Sequence, residues 1–337
     1  MQLVNLYGPN DFRLEEATQP VAGPDDMVIK VAACGICGSD VGYVAQGGLA
    51  GPTDSAMPLG HELAGTVHEF GAKVSGFSIG DRVVVNPMGA NNQIGNGGAQ
   101  GGFANYLLVK NASAGESVYK LPATLSFEQG ALVEPLSVAM HAVNRAKPLP
   151  GEKAVVFGVG AIGLGSIVCL RRMGITNIVA VDLSQERLQR AEQLGASAIV
   201  SPAHEDLYGF IAAEQGETDF LGFMPVWDTG IFIDAAGAAP IIKTVIDSCK
   251  TGARLVIAGL HKKPVEVDLM LLLSKELSLL GSMAYPNEFT EVIAMLEEGA
   301  LDVSPMVSHR FPLAQFSDAF AIAQSPAAGA KVIIEID

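Results

Sequence analysis

Between Cys34 and Glu62 the sequence sets a thiol, an imidazole and carboxylates within one short span. The span holds Cys34-Gly35-Ile36-Cys37-Gly38-Ser39-Asp40 and Gly60-His61-Glu62, with glycines on both sides. These are zinc ligand types. Cys34-x-x-Cys37 alone fits a redox pair or half of a zinc ribbon, but there is no second C-x-x-C, and the βαβ setting of a thioredoxin-like site is missing. Cys37 with His61 and a carboxylate from Glu62 or Glu134 makes three protein ligands and an open position, the pattern of a catalytic zinc. Asp40 can orient the His61 imidazole, and the Ser39 hydroxyl can reach whatever fills the open position. Zinc lowers the pKa of an alcohol as it does of water, so hydride can leave for an acceptor while Ser39 passes the proton outward.

A second stretch supplies that acceptor. Gly158-Val159-Gly160-Ala161-Ile162-Gly163 follows the apolar run Ala154-Val155-Val156-Phe157 and opens an apolar helix. Asp182 ends the next strand, about twenty residues on, which completes the context of a dinucleotide fingerprint. The glycines allow a tight turn and close approach of the backbone, and the helix N-terminus faces the pyrophosphate. Asp182 can accept from both ribose hydroxyls and would repel a 2′-phosphate, and Leu183 stands where an arginine might welcome one. We expect NAD rather than NADP. Arg187 can flank the adenosine ribose or salt-bridge on its own helix. Ala236 and Gly259 complete the expected cofactor-binding set.

The elements that must position these groups fall into two patterns. Gln2–Leu6, Phe12–Glu16, Met27–Ala33, Ala64–Phe70, Arg82–Asn86, Phe103–Val109 and Val118–Lys120 read as strands between Gly- and Pro-containing turns. Pro87 to Gly102, rich in Gly and Asn, reads as a surface loop. Ser126-x-x-Gln129 is a capping box, and Glu134 to Ala146 a helix. Pro148-x-Pro150-Gly151 reads as a linker. From Lys153 strands and helices alternate, which implies a parallel sheet covered by helices. Glu214–Asp228, with the only tryptophan, Trp227, reads as irregular. The pieces after Glu288 break the alternation and suggest a return to the first domain. The expected architecture is α/β: a β-rich catalytic domain of residues 1–147 and 284–337, and a Rossmann domain of residues 148–283.

A length of 337 residues suits about two domains, and nearly half the residues are apolar. A net charge of −15 argues against nucleic acid and anionic membrane as partners. No apolar run reaches the roughly 18–20 residues that span a bilayer, and the N-terminus lacks a signal-peptide pattern. Cys34, Cys37, Cys169 and Cys249 read as reduced thiols of a cytoplasmic protein. His68, His204 and His261 read as surface or loop residues, His141 as packed on its helix and His309 as structural.

On these residues the chain resembles the zinc-dependent medium-chain dehydrogenases, and within them the sorbitol (polyol), 2,3-butanediol and threonine dehydrogenase branch. The likeness runs through Leu132-Val133-Glu134-Pro135-Leu136-Ser137, Val181-Asp182-Leu183-Ser184 and Ser308-His309-Arg310-Phe311-Pro312-Leu313. It implies a GroES-like catalytic domain around a Rossmann domain, with the active site in the cleft. It implies oxidation of a secondary alcohol, diol or polyol to a ketone with NAD, reversibly, in a homodimer or homotetramer. Cys37 and His61 are implied ligands, Glu62 and Glu134 alternates, and Cys34 none. Relatives often carry four structural-zinc cysteines in the lobe matching Pro87 to Gly102. Here there are none, so one catalytic zinc and no structural zinc is expected. Polyol-type relatives often have a histidine where Gly42 stands, so a proton relay beyond Ser39 must use Tyr43, cofactor hydroxyls or water. Sorbitol dehydrogenases place an arginine at the position of Ala284, which here weakens the sorbitol reading. Tyr43, Tyr106, Leu136 and Tyr285 are the pocket candidates for an alcohol or ketone. A zinc-free enone or quinone reductase and a non-catalytic nucleotide-binding protein are the competing readings. Neither needs Cys37, Ser39, Asp40, His61 and Glu134 together.

Overall fold

The computed structural model describes residues 1–52, 54–325 and 329–337. The chain divides into two compact units. One comprises Met1–Glu134, Phe289–Ala300 and Val307–Asp337, the other Pro135–Glu288 and Leu301–Met306.

The first unit is built on a sheet that follows the order Val307–Pro312, Lys331–Glu335, Met27–Ile36, Glu62–Phe70, Arg82–Val85, Val118–Lys120. Tyr106–Val109 also pairs with Met27–Ile36. The strand Met27–Ile36 runs three residues past its expected end, through Cys34, Gly35 and Ile36. It continues because Val332 and Ile334 of the C-terminal strand pair antiparallel with Ile36 and Cys34. On its other edge Gly35 faces Glu62 in register. A Cβ on Gly35 would collide with the Glu62 carboxylate, so glycine is what lets the two strands close there. Beneath lies an apolar core that includes Val4, Ile29, Cys34, Leu63, Phe103, Phe316 and Val332. A smaller sheet joins Asp11–Glu16, Gln2–Gly8 and Met57–Pro58. The capping box forms as expected: Ser126 Oγ accepts the Gln129 N–H at 3.0 Å, and Gln129 Oε1 accepts the Ser126 N–H at 2.9 Å. It caps only the short helix Phe127–Ala131, and Val133–Ala146 follows as a second helix.

The second unit holds six parallel strands in the order Ala198–Val200, Asn177–Val181, Lys153–Phe157, Ile231–Asp234, Arg254–Ile257, Ser278–Gly281. The inner strands Asn177–Val181, Lys153–Phe157 and Ile231–Asp234 are short, apolar and almost wholly buried, as in a parallel sheet covered on both faces. The stretch read as irregular is ordered: Glu217–Phe220 and Met224–Trp227 form an antiparallel hairpin. Leu221 and Gly222 take positive φ at its tip. Its end is anchored by Trp227, which is fully buried and donates its indole N–H to the Tyr208 carbonyl at 3.1 Å.

Candidate active site

Cys37 sits where the strand Met27–Ile36 hands over to the helix Gly38–Gln46, and it is that helix's N-cap. Asp40, one turn in, is wholly buried, and its Oδ2 accepts the Cys37 N–H at 2.9 Å. Its Oδ1 accepts the Gly60 N–H at 3.3 Å and lies 3.6 Å from His61 Nδ1. One carboxylate thus ties the turn that carries the thiol to the turn that carries the imidazole. Gly60 takes φ +93 and has no room for a side chain beside Phe103.

A sulfur, a ring nitrogen and a carboxylate oxygen from Cys37, His61 and Glu62 all lie within 4.8 Å of one another. Among the described residues this is the one group of its kind. His61 and Glu62 are buried and Cys37 is half-buried. Two atoms of the group, His61 Nδ1 and Glu62 Oε2, are buried without a hydrogen-bond partner. Buried carboxylate oxygens are normally satisfied, so an orphan on a residue grouped with a thiol and an imidazole suits a cation. The S, N and O donor set fits zinc. Burial works against a protonated His61, but the Asp40 carboxylate and the Cys37 sulfur outweigh it and hold the pKa well above the ordinary range. Cys34 points into the core. Burial first, then the charges of Asp40 and Glu62, push its thiol far up, so it stays protonated.

Lys331 was not singled out from sequence. It is buried at the start of the last strand, and its Nζ donates to Glu62 Oε1 at 2.6 Å and to the Ile36 carbonyl at 3.2 Å. Burial opposes its charge, but attraction to Glu62 prevails and raises its pKa, with Glu134 adding to the effect. Lys331 therefore holds one Glu62 oxygen, Oε1, and leaves Oε2 without a hydrogen-bond partner. Glu134 is buried too, at the start of Val133–Ala146, but it is outside the 4.8 Å group.

Ser39 Oγ lies 3.3 Å from His61 Nε2. Tyr43, on the same helix, donates its hydroxyl to Asn96 Oδ1 at 3.0 Å. Burial pushes the Tyr43 phenol up, and His61 first, then the nearby Ser39 hydroxyl, pull against it. Tyr106 is placed differently from Tyr43. Its ring packs on His68 at 4.8 Å and lines a cavity of about 780 Å³ with Asn5, Leu49, Met57 and Gln100. Cys37, His61 and Glu62 are not among the residues lining that cavity. Leu136 and Tyr285 belong to the second unit, both buried.

In the second unit Gly158 takes φ +79, and a Cβ there would sit 2.6 Å from the Ala236 Cβ. A Cβ on Gly163 would strike the Gly158 carbonyl, so the helix packs hard against the strand. Gly160 caps the helix Ala161–Arg172, whose opening amides are left for an anion. Asp182 Oδ2 accepts the Val159 N–H at 2.8 Å and Oδ1 the Ser184 N–H at 2.9 Å. The carboxylate is thereby fixed beside the glycine turn with lone pairs to spare, and these residues fit a dinucleotide. Arg187 Nε is buried without a partner. Gly259 donates its N–H to the Asp234 carbonyl at 2.8 Å. The loop residue His261 is no bland surface histidine: its Nε2 lies 2.7 Å from the buried Asp234 carboxylate. His141 is likewise paired, 2.7 Å from Glu288.

Residues 23–123 match the alcohol dehydrogenase GroES-like domain, and residues 161–298 match the zinc-binding dehydrogenase family. Over 98% of this chain and 95% of its own length, a sorbitol dehydrogenase of Rattus norvegicus is 33% identical. The chain belongs to the zinc-binding, GroES-like alcohol dehydrogenases. An (R,R)-butanediol dehydrogenase of Bacillus subtilis (strain 168) is 34% identical, over 93% of each chain. The crystal structure of 2R,3R-butanediol dehydrogenase from Bacillus subtilis superposes with a TM-score of 0.89 at 32% identity. It covers 100% of this chain and 99% of the other. The GroES-like and Rossmann architecture read from the sequence is the one these relatives share.

Proposed function

We propose that this chain is an NAD-dependent, zinc-dependent dehydrogenase that interconverts a secondary alcohol, diol or polyol and its ketone. The observation that carries the reading is the group of Cys37, His61 and Glu62, whose sulfur, nitrogen and oxygen donors lie within 4.8 Å of one another, with Glu62 Oε2 buried and unpartnered. The kinship to sorbitol and butanediol dehydrogenases supports the substrate class.

In this reading Cys37, His61 and Glu62 hold one zinc, and Glu134 stands nearby as the alternate ligand. Bound zinc supplies Lewis acidity toward an alcohol or carbonyl oxygen, and bound NAD accepts hydride. Asp40 keeps the imidazole oriented, and Lys331 pairs with Glu62 and holds its Oε1. Ser39 Oγ takes the proton that the alcohol loses. It hands that proton on toward the Tyr43 hydroxyl or water, because Gly42 offers no imidazole. Asp182 accepts from the ribose hydroxyls and selects NAD. Ala284, with no charge to offer a polyol, favours a smaller diol or secondary alcohol.

The cysteine-free stretch Pro87–Gly102 supports one zinc per chain, with no structural ion. The functional division we propose keeps residues 1–147 and 284–337 as catalytic domain and 148–283 as Rossmann domain. A second copy of the chain is the proposed partner, as homodimer or homotetramer. Support comes from the edge strand Ser278–Gly281 and the adjoining helix Leu269–Ser274, which packs Leu271 and Leu272 on the core and exposes Leu269, Met270 and Leu273. No helix among the described residues is long and apolar enough to cross a membrane. The free thiols and acidic balance fit a cytoplasmic location. Initial rates on C4 diols, threonine, sugar alcohols and aromatic secondary alcohols with NAD, before and after chelation, test the function. Chelator-sensitive turnover of a diol or secondary alcohol is expected, and turnover indifferent to chelator would defeat the zinc reading.

A further inference from the structure

The strand Ile231–Asp234 ends on a carboxylate that the glycine fingerprint does not itself require. Asp234 is fully buried. Its Oδ1 accepts the N–H groups of Ala236 at 3.0 Å and Gly237 at 2.9 Å, and its Oδ2 faces His261 Nε2 at 2.7 Å. A buried carboxylate survives only when so satisfied. It accepts and does not donate, so Nε2 carries a ring proton, and Nδ1 is the acceptor of the tautomer that leaves it unprotonated. Among the described residues Nδ1 has no hydrogen-bond partner, and the side chain remains 16% exposed.

The place of this ring matters. Lys153–Phe157, Ile231–Asp234 and Arg254–Ile257 are neighbours in the sheet, and His261 follows the last of them. A Cβ on Gly158 would meet Ala236, and a Cβ on Gly237 would meet the Leu260 carbonyl at 2.5 Å. The fingerprint turn, the Asp234–Gly237 turn and the Ala258–His261 segment are therefore packed together at the carboxyl ends of three adjacent strands. Asp182 lies on the opposite side of Lys153–Phe157 from Asp234. A dinucleotide with its adenosine ribose at Asp182 and its pyrophosphate at the glycine turn lays its other half over Asp234 and the Ala258–His261 segment.

We propose that His261, held by Asp234, binds the nicotinamide half of the dinucleotide, its Nδ1 accepting a hydrogen bond from a hydroxyl or amide of that half. The proposal rests on the NAD reading given above. Asp234 is a positioning residue, since it fixes the tautomer and the ring plane but reaches the cofactor only through His261.

The test uses the full-length protein, titrated with NADH by its fluorescence and with ADP by calorimetry. ADP carries the adenosine half alone. His261→Gln keeps a donor for Asp234 and lacks the Nδ1 acceptor, so NADH should bind about tenfold more weakly while ADP stays within about twofold. His261→Asn keeps an acceptor where Nδ1 stood and should recover most of the NADH affinity. Unchanged NADH affinity in His261→Gln overturns the His261 assignment alone, as long as the wild type binds both ligands. Equal weakening of NADH and ADP in both variants makes the pair a scaffold and also overturns it. A wild type that binds neither ligand defeats the NAD reading itself.

Discussion

Replacing Lys331 with methionine isolates what the buried lysine does for the metal group. Lys331 and Glu62 are both buried and meet at 2.6 Å. Deleting one partner of such a pair leaves an uncompensated buried charge, at a cost of about 3–5 kcal/mol. In metal-free protein the carboxylate of Glu62 then has no cation, and melting should fall by roughly 6–20 °C at about 2–4 °C per kcal/mol. With zinc bound, the ion takes over part of the neutralisation, and the drop should shrink to less than about half. Adding Glu62→Gln to Lys331→Met removes the stranded charge and should recover most of the metal-free loss. The assay is calorimetry on the four proteins of the cycle, each chelated and zinc-loaded. Equal losses with and without zinc would mean that Lys331 braces the strand and has no bearing on the ion. A Lys331→Met protein as stable as wild type would refute the pairing argument outright.

Three further outcomes can be checked by simpler means. Cys37→Ser should abolish stoichiometric zinc and lower turnover by more than about a hundredfold, whereas Cys34→Ala, which alters only core packing, should keep its zinc. Asp182→Ala should shift the kcat/KM ratio of NAD over NADP by about 10- to 100-fold toward NADP, from the loss of charged hydrogen bonds to ribose. The ratio staying put would remove Asp182 from cofactor choice. In metal-free protein the raised pKa of His61 means that its ion pair with Asp40 is fully present below about pH 6.5, the ordinary histidine value, and is lost as pH rises through the folded-state value. Thermal stability of chelated protein should therefore decline across that window, and zinc affinity should climb. Asp40→Asn should flatten the stability change.

Sequence reading works here wherever the chemistry is local. Cys37, Ser39, Asp40, His61 and Glu62 sit within one span, and the glycine fingerprint with Asp182 within another, so residue types and spacing were sufficient to pick them out. The capping box at Ser126 and Gln129 is equally local, and its bonds form. Lys331 was missed because its role comes from strand pairing: Val332 pairs with Ile36, and only that register brings the lysine to Glu62. A lysine opening an apolar strand was the single available hint. Likewise His261 gains meaning only when the parallel sheet brings Asp234 beside it. The hairpin ending at Trp227 read as irregular because Glu217, Thr218 and Asp219 are exposed and polar, and the positive φ at Leu221 falls on a residue that does not advertise it.

The most direct test of the account is the metal content of the purified protein, by plasma mass spectrometry, set beside its NAD-linked turnover. One zinc per chain is expected, with loss of turnover when the ion is stripped and recovery when one equivalent returns. Full turnover without zinc would contradict that expectation, as would a second tightly held ion.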